Sequence, residues 1–177
     1  MNIREMAQIS LLLAIGFILR LITPGYGAGM KPDLLLAMLF VIILLKKDLR
    51  STLLAGSVAG IICALTTTFP AGQIPNLIDK PLTSLFVYML IKILAKSRVP
   101  VLVTAGIIGA LGTLFSGAVF LLSALALVGI PAPFEILYAT VVLPATIANT
   151  IGVVVLYPLV TFSKQVIERG RPQEITK

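Results

Sequence analysis

Residues 66–81 read TTTFPAGQIPNLIDKP, a run of turn formers and polar side chains in the middle of a chain that is otherwise largely apolar. As a plain surface loop it would leave Phe69 and Ile74 in water, and as a buried segment it must give Asp79 and Lys80 partners. The surroundings decide between the two. The chain has 177 residues, 58% of them hydrophobic and 12% charged, and a mean hydropathy of +1.08. That leaves too little polar surface to cover a soluble globule of this size, so the chain is placed in lipid and the segment is read as folding back onto protein.

A membrane span takes about 20 apolar residues, and six candidates stand out: Met6 to Ile22, Leu34 to Leu45, Leu53 to Thr67, Leu82 to Leu94, Val101 to Val128 and Ile136 to Phe162. The second and fourth are short. The last two are long enough to tilt or bend, with Pro144 and Pro158 as kink points in the sixth. The first run is followed by others of the same character and reads as a retained span, not a cleaved signal. The expected fold is all-α, an integral membrane bundle of six transmembrane helices with outer loops capping a substrate. Residues 1–163 form the substrate-binding domain and 164–177 a basic cytoplasmic tail.

Charge sets the expected orientation. Arg4, the group Lys46, Lys47 and Arg50, the group Lys92, Lys96 and Arg98, and the tail residues Lys164, Arg169, Arg171 and Lys177 fall on one face of an even-span layout. By the positive-inside rule that face, with both termini, is cytoplasmic. The net charge of +7 is then a matter of topology and anionic lipid, and no nucleic-acid partner is required.

The other charges, Arg20, Lys31 and Lys80 with Asp33, Asp79 and Glu135, gather towards the outer side as a balanced set. They lie in or beside the connections TPGYGAGMKPD (23–33), FPAGQIPNLIDKP (69–81) and GIPAPFE (129–135). Charges at the ends of apolar helices pair with one another or with a zwitterionic ligand. A cavity under these connections would hold Arg20, Lys31, Asp33, Gln73, Asn76, Asp79, Lys80 and Glu135, the aromatic faces of Tyr26, Phe69, Phe134 and Tyr138, and Asn149 from the last helix. Such a set suits an ammonium, a carboxylate and a flat apolar body at once, the groups of an amino acid with a large side chain.

Several chemistries drop out. The chain has no histidine and one cysteine, Cys63, which removes His-based acid–base catalysis, a disulfide and the usual zinc ligands. No metal or cofactor is expected. No G-x-x-x-x-G-K-[ST] loop occurs, so any ATP is handled by another chain. An intramembrane aspartyl protease using Asp33 and Asp79 is the enzyme alternative, but neither residue has that class's motif surroundings. Small residues recur at helical spacing as Ser10 with Ala14, Gly56 with Gly60, Gly109 with Thr113 and Gly112 with Ser116. The last three fit internal packing, and the first equally fits a partner's helix.

GMKPD (29–33), TTTFPAGQIPNLIDKP and VVLPATIANTIG (141–152) resemble the tryptophan transporter family of substrate-binding S components, which belong to the energy-coupling factor importers of bacteria. The resemblance runs from the first helix to the sixth. It implies a six-helix bundle in the bacterial cell membrane that binds L-tryptophan at its outer face and is itself no enzyme. It also implies a transmembrane coupling subunit, met by the small residues of the first helix, here Ser10 and Ala14, and two ATPase subunits. In this frame Asp79 or Glu135 takes the ligand ammonium, Lys31 or Arg20 its carboxylate, Phe69 and Tyr26 face the indole, and Gln73 or Asn76 accepts the indole N–H. Asp33 and Lys80 are left as a structural pair. Another aromatic amino acid, an indole-like vitamin, or a protein transporting alone on an ion gradient are the transport alternatives.

Overall fold

The computed structural model describes residues 2–24, 32–97 and 99–169. Its elements are α1 (Ile3–Ile22), α2 (Leu34–Lys46), α3 (Leu49–Leu65), α4 (Gln73–Leu94), α5 (Val101–Leu127), a short α6 (Phe134–Leu137), a π-helical turn (Tyr138–Val142) and α7 (Leu143–Arg169). Among the described residues there is no strand. By length and composition α1, α5 and the α6–α7 rod (Phe134–Ile167) can each cross a membrane, while α2 and α3 are shorter apolar helices.

The hub is α2. Every residue from Leu35 to Leu44 is buried, and a helix apolar on all sides is stable only inside a bundle or in lipid. Thirteen residues rise only about 20 Å, less than the roughly 30 Å of a bilayer core, but a helix wrapped in protein need not match the lipid. Asp33 starts α2 by accepting the Leu36 N–H, and Lys47, in the left-handed region at φ 53°, ends it. Asp48 then caps α3 by accepting the Ser51 N–H at 2.8 Å. A two-residue reversal of this kind brings α3 back alongside α2.

Around α2 the other helices follow the order α1, α3, α4, α5, α7, each touching the next, while α1 and α7 do not meet. Close approach is set by glycine. A Cβ at Gly56 of α3 would lie 2.2 Å from Ser84 Oγ of α4, and one at Gly109 of α5 would lie 2.8 Å from the Thr150 Cα of α7. Neither distance admits a side chain, so these glycines pack helix on helix, as their spacing led us to expect.

The segment 66–81 is where sequence and structure part. Its second half is not a loop: α4 begins at Gln73 and runs unbroken through Pro81. Pro75 falls in the first turn, where a missing N–H costs nothing. Pro81 lies inside the helix, and Ser84 Oγ donates to its carbonyl at 2.8 Å. The fourth candidate segment is therefore part of a helix 22 residues long and not short. Its phase is inverted relative to a soluble helix: Asn76, Asp79, Lys80, Thr83 and Ser84 are buried, while Ile74, Leu77, Leu82 and Met89 are exposed. Polar side chains turned inward and apolar ones outward are what a bundle in hydrocarbon presents.

The sixth rod carries its π-helical turn immediately before Leu143 and Pro144. The Leu143 N–H reaches back to the Tyr138 carbonyl, five residues away, a π-type register slip one residue before a proline that has no N–H to continue the ladder. Val141 and Val142 of this turn are buried. Pro158 sits within α7, which continues without a break through residue 163 to Arg169.

Candidate functional site

A cavity of about 100 Å³ opens between α4, α5 and the sixth rod, with Arg20 of α1 and Asp33 at the head of α2 on its wall. The polar wall is an ion cluster. Arg20 Nη1 meets Asp33 Oδ1 at 2.7 Å, and Lys80 Nζ meets Asp33 Oδ2 at 3.1 Å and Asp79 Oδ2 at 2.6 Å. Two cations thus alternate with two anions, and the cluster is neutral. Isolated buried charges would cost several kcal/mol each; alternation and hydrogen bonds offset that cost here.

Asp79 is completely buried and fully engaged. Thr83 Oγ1 donates to its Oδ1 at 2.7 Å and Ser116 Oγ to its Oδ2 at 2.8 Å. Asp33 is the shared member: besides both cations it receives the Leu36 N–H and the Cys63 thiol, whose Sγ lies 3.5 Å from Oδ2. Arg20 also donates through Nε to Thr66 Oγ1 at 3.3 Å, which among the described residues leaves guanidinium N–H donors over. Each charge comes from a different place in the chain except the adjacent pair Asp79 and Lys80. The cluster therefore forms only when α1, α2, α4 and α5 are assembled.

Beside the cluster the wall is apolar. Phe69 and Phe120 meet edge to face with ring centroids 5.2 Å apart, and Leu36, Gly117, Val141, Val142 and Ala145 complete the lining. Phe69 is turned inward by the bend 69–72, in which Gly72 N–H bonds to the Phe69 carbonyl and Ala71 takes a left-handed φ of 53°, a strained choice for alanine. Asn76 lines the cavity with its Nδ2 donated to the Gly72 carbonyl at 2.8 Å. Asn149 lines it from α7, its Nδ2 directed at Thr113 Oγ1 at 3.4 Å.

Of the residues expected from sequence, Arg20, Asp33, Phe69, Asn76, Asp79, Lys80 and Asn149 come together here. Gln73 and Glu135 are exposed and outside this lining. Tyr138 is half-buried and likewise outside the lining; its hydroxyl donates to the Leu114 carbonyl at 3.1 Å while its ring stacks on Phe134. Tyr26 and Lys31 lie outside the described residues. Sequence reasoning missed Thr67, Thr68, Phe120 and the π-turn valines, and assigned Thr113 and Ser116 to packing alone. Hydroxyls three residues apart in an otherwise apolar helix were a usable signal, whereas nothing distinguishes Phe120 from its apolar neighbours.

The geometry disfavours an aspartyl protease. The two carboxylates do not bond to each other; Lys80 stands between them, where such a dyad needs one shared proton. What the fold and site define is a helical protein of membrane character that encloses a polar cavity beside an aromatic pair.

The family model described as tryptophan transporter TrpP matches residues 2–165. A probable tryptophan transport protein of Bacillus subtilis (strain 168) is 46% identical over 160 residues, 90% of this chain and 92% of the relative. Another of Clostridium acetobutylicum is 44% identical over 169 residues, 96% of this chain and 98% of the relative. A third, of Clostridium perfringens, is 42% identical over 172 residues, covering 90% and 94%. The chain belongs to the TrpP tryptophan transporter family. No solved structure matches it.

Proposed function

We propose that this chain is the substrate-binding S component of an energy-coupling factor importer, holding L-tryptophan in the cavity while a transmembrane coupling subunit and two ATPase subunits drive uptake. The supporting observation is the cavity itself, a neutral cluster of Arg20, Asp33, Asp79 and Lys80 beside the Phe69–Phe120 pair. A zwitterion with a flat apolar body matches both parts. The bundle then has six spans, α1 to α5 and the α6–α7 rod, in the bacterial cell membrane, with the cavity towards the outer face and the termini cytoplasmic.

Arg20 binds the ligand carboxylate through its remaining N–H donors, a charge-assisted contact. The ammonium lies against Asp33, the anion with side-chain exposure of 13%, and donates to the Asn76 side-chain oxygen. Asp79, saturated by Thr83, Ser116 and Lys80, holds Lys80 in place. Lys31 and Tyr26 join from the connection between α1 and α2 as the sequence suggests, and Gln73, Glu135, Phe134 and Tyr138 belong to the rim.

The test uses a property of the chain: it contains no tryptophan, so indole emission reports ligand alone. Titrating the detergent-purified protein into L-tryptophan is expected to give a saturable spectral shift, displaced weakly by phenylalanine and tyrosine. Saturable binding of another aromatic ligand in preference would replace the substrate, and no binding of any would remove the cavity as a ligand site.

A further inference from the structure

Among the described residues one buried side-chain oxygen or nitrogen has no hydrogen-bond partner: Asn149 Oδ1. Asn149 is 1% exposed and lines the cavity. Buried polar groups are nearly always paired, because an unpaired acceptor forfeits its hydration without return. An orphan at a cavity wall is therefore an acceptor waiting for a donor that enters the cavity.

The surroundings narrow that donor. Thr113, the partner of Asn149 Nδ2, sits three residues before Ser116, which donates to Asp79. The carboxamide thus lies about one helical turn along α5 from the ion cluster, with the apolar residues Val142 and Ala145 of its own rod in the same lining. A weak, uncharged N–H embedded in an otherwise apolar ring fits this environment. A hydroxyl or second charge would require further polar partners, and beside Thr113 the α5 wall offers only Ser116, whose hydroxyl already donates to Asp79.

We infer that Asn149 Oδ1 accepts the ring N–H of an indole and is the atom by which the cavity separates tryptophan from aromatic amino acids that lack this donor. The assignment rests on the reading that tryptophan occupies this cavity, and it moves the N–H acceptor from Gln73 and Asn76, favoured on sequence, to α7. The mechanism of selection is the cost of the unpaired acceptor: phenylalanine fills the space but leaves Oδ1 without a partner.

The probe is 3-benzothienyl-L-alanine, which keeps the bicyclic shape and replaces the ring N–H by sulfur. In the wild-type protein it is expected to bind about tenfold more weakly than L-tryptophan, by competition against indole emission. In Asn149→Ala that ratio is expected to collapse towards one, chiefly through weaker tryptophan binding. Should Asn149→Ala not fold, Asn149→Ser, whose short hydroxyl falls away from the ring, carries the same comparison. Equal affinities for the two ligands in the wild type overturn the assignment, as does an undiminished ratio in a folded variant, and in both cases tryptophan binding itself stands. Absence of tryptophan binding by the wild type removes the occupancy reading and this assignment with it.

Discussion

At the scale of single residues the governing fact is that Asp79 and Lys80 solve each other's burial. Lys80 is 4% exposed and Asp79 fully buried, so neutralising either leaves the other among groups arranged for its partner. Breaking a buried pair by removing one member typically costs about 3–5 kcal/mol, whereas replacing both by apolar residues is often close to neutral. Asp79→Asn is therefore expected to lower the thermal midpoint of the purified protein sharply, and Asp79→Leu with Lys80→Met to recover most of the loss. Equal or additive losses in the double variant would show that Lys80 is held by Asp33 alone. The four charges themselves were legible from sequence as a balanced set at one side of the bundle. The pair of Asp33 with Lys80 is legible as well, whereas the contacts of Arg20 with Asp33 and of Lys80 with Asp79 are not, since Arg20 and Asp79 each read equally as a partner of ligand. Which cation meets which anion depends on the rotation of α1 and α4 about their axes, and composition carries no such phase.

At the scale of elements the instructive case is α4. Prolines at 70, 75 and 81 and glycine at 72 argued for a capping loop, yet the polar residues Asn76, Asp79, Lys80, Thr83 and Ser84 recur at three and four, the period of a helical stripe. Reading that stripe would have found the helix; reading proline as punctuation hid it. The stripe is buried because α3 comes unusually close. Gly56→Ala places a Cβ 2.8 Å from Ser84 Cβ as well as 2.2 Å from its Oγ, so overpacking of about 1–3 kcal/mol is expected. Ser84→Gly removes both opposing atoms. The expected outcome is a lowered thermal midpoint in Gly56→Ala that is partly restored in the double variant, measured by thermal unfolding in detergent. Full tolerance of Gly56→Ala alone would mean that α3 and α4 separate easily.

At the scale of the whole molecule α1 is the helix with an unexplained side. One face, Ile9, Leu13, Gly16 and Arg20, is buried against the bundle, and α1 does not touch α7. A different face carries Ile3, Ala7, Ser10, Ala14 and Leu21, all exposed. Lipid gains nothing from small side chains there, since acyl chains pack as well on leucine; another helix does, because small residues let backbones approach. Under the proposed function this face receives the coupling subunit. Ser10→Leu adds bulk to it without touching the cavity or the ion cluster. It is expected to leave tryptophan binding by the purified protein unchanged while reducing uptake in cells expressing the complete importer to near background. Uptake at the wild-type rate would assign this face to lipid and require the coupling subunit to dock elsewhere, and a parallel loss of binding would mean instead that α1 had been displaced, carrying Arg20 away from Asp33.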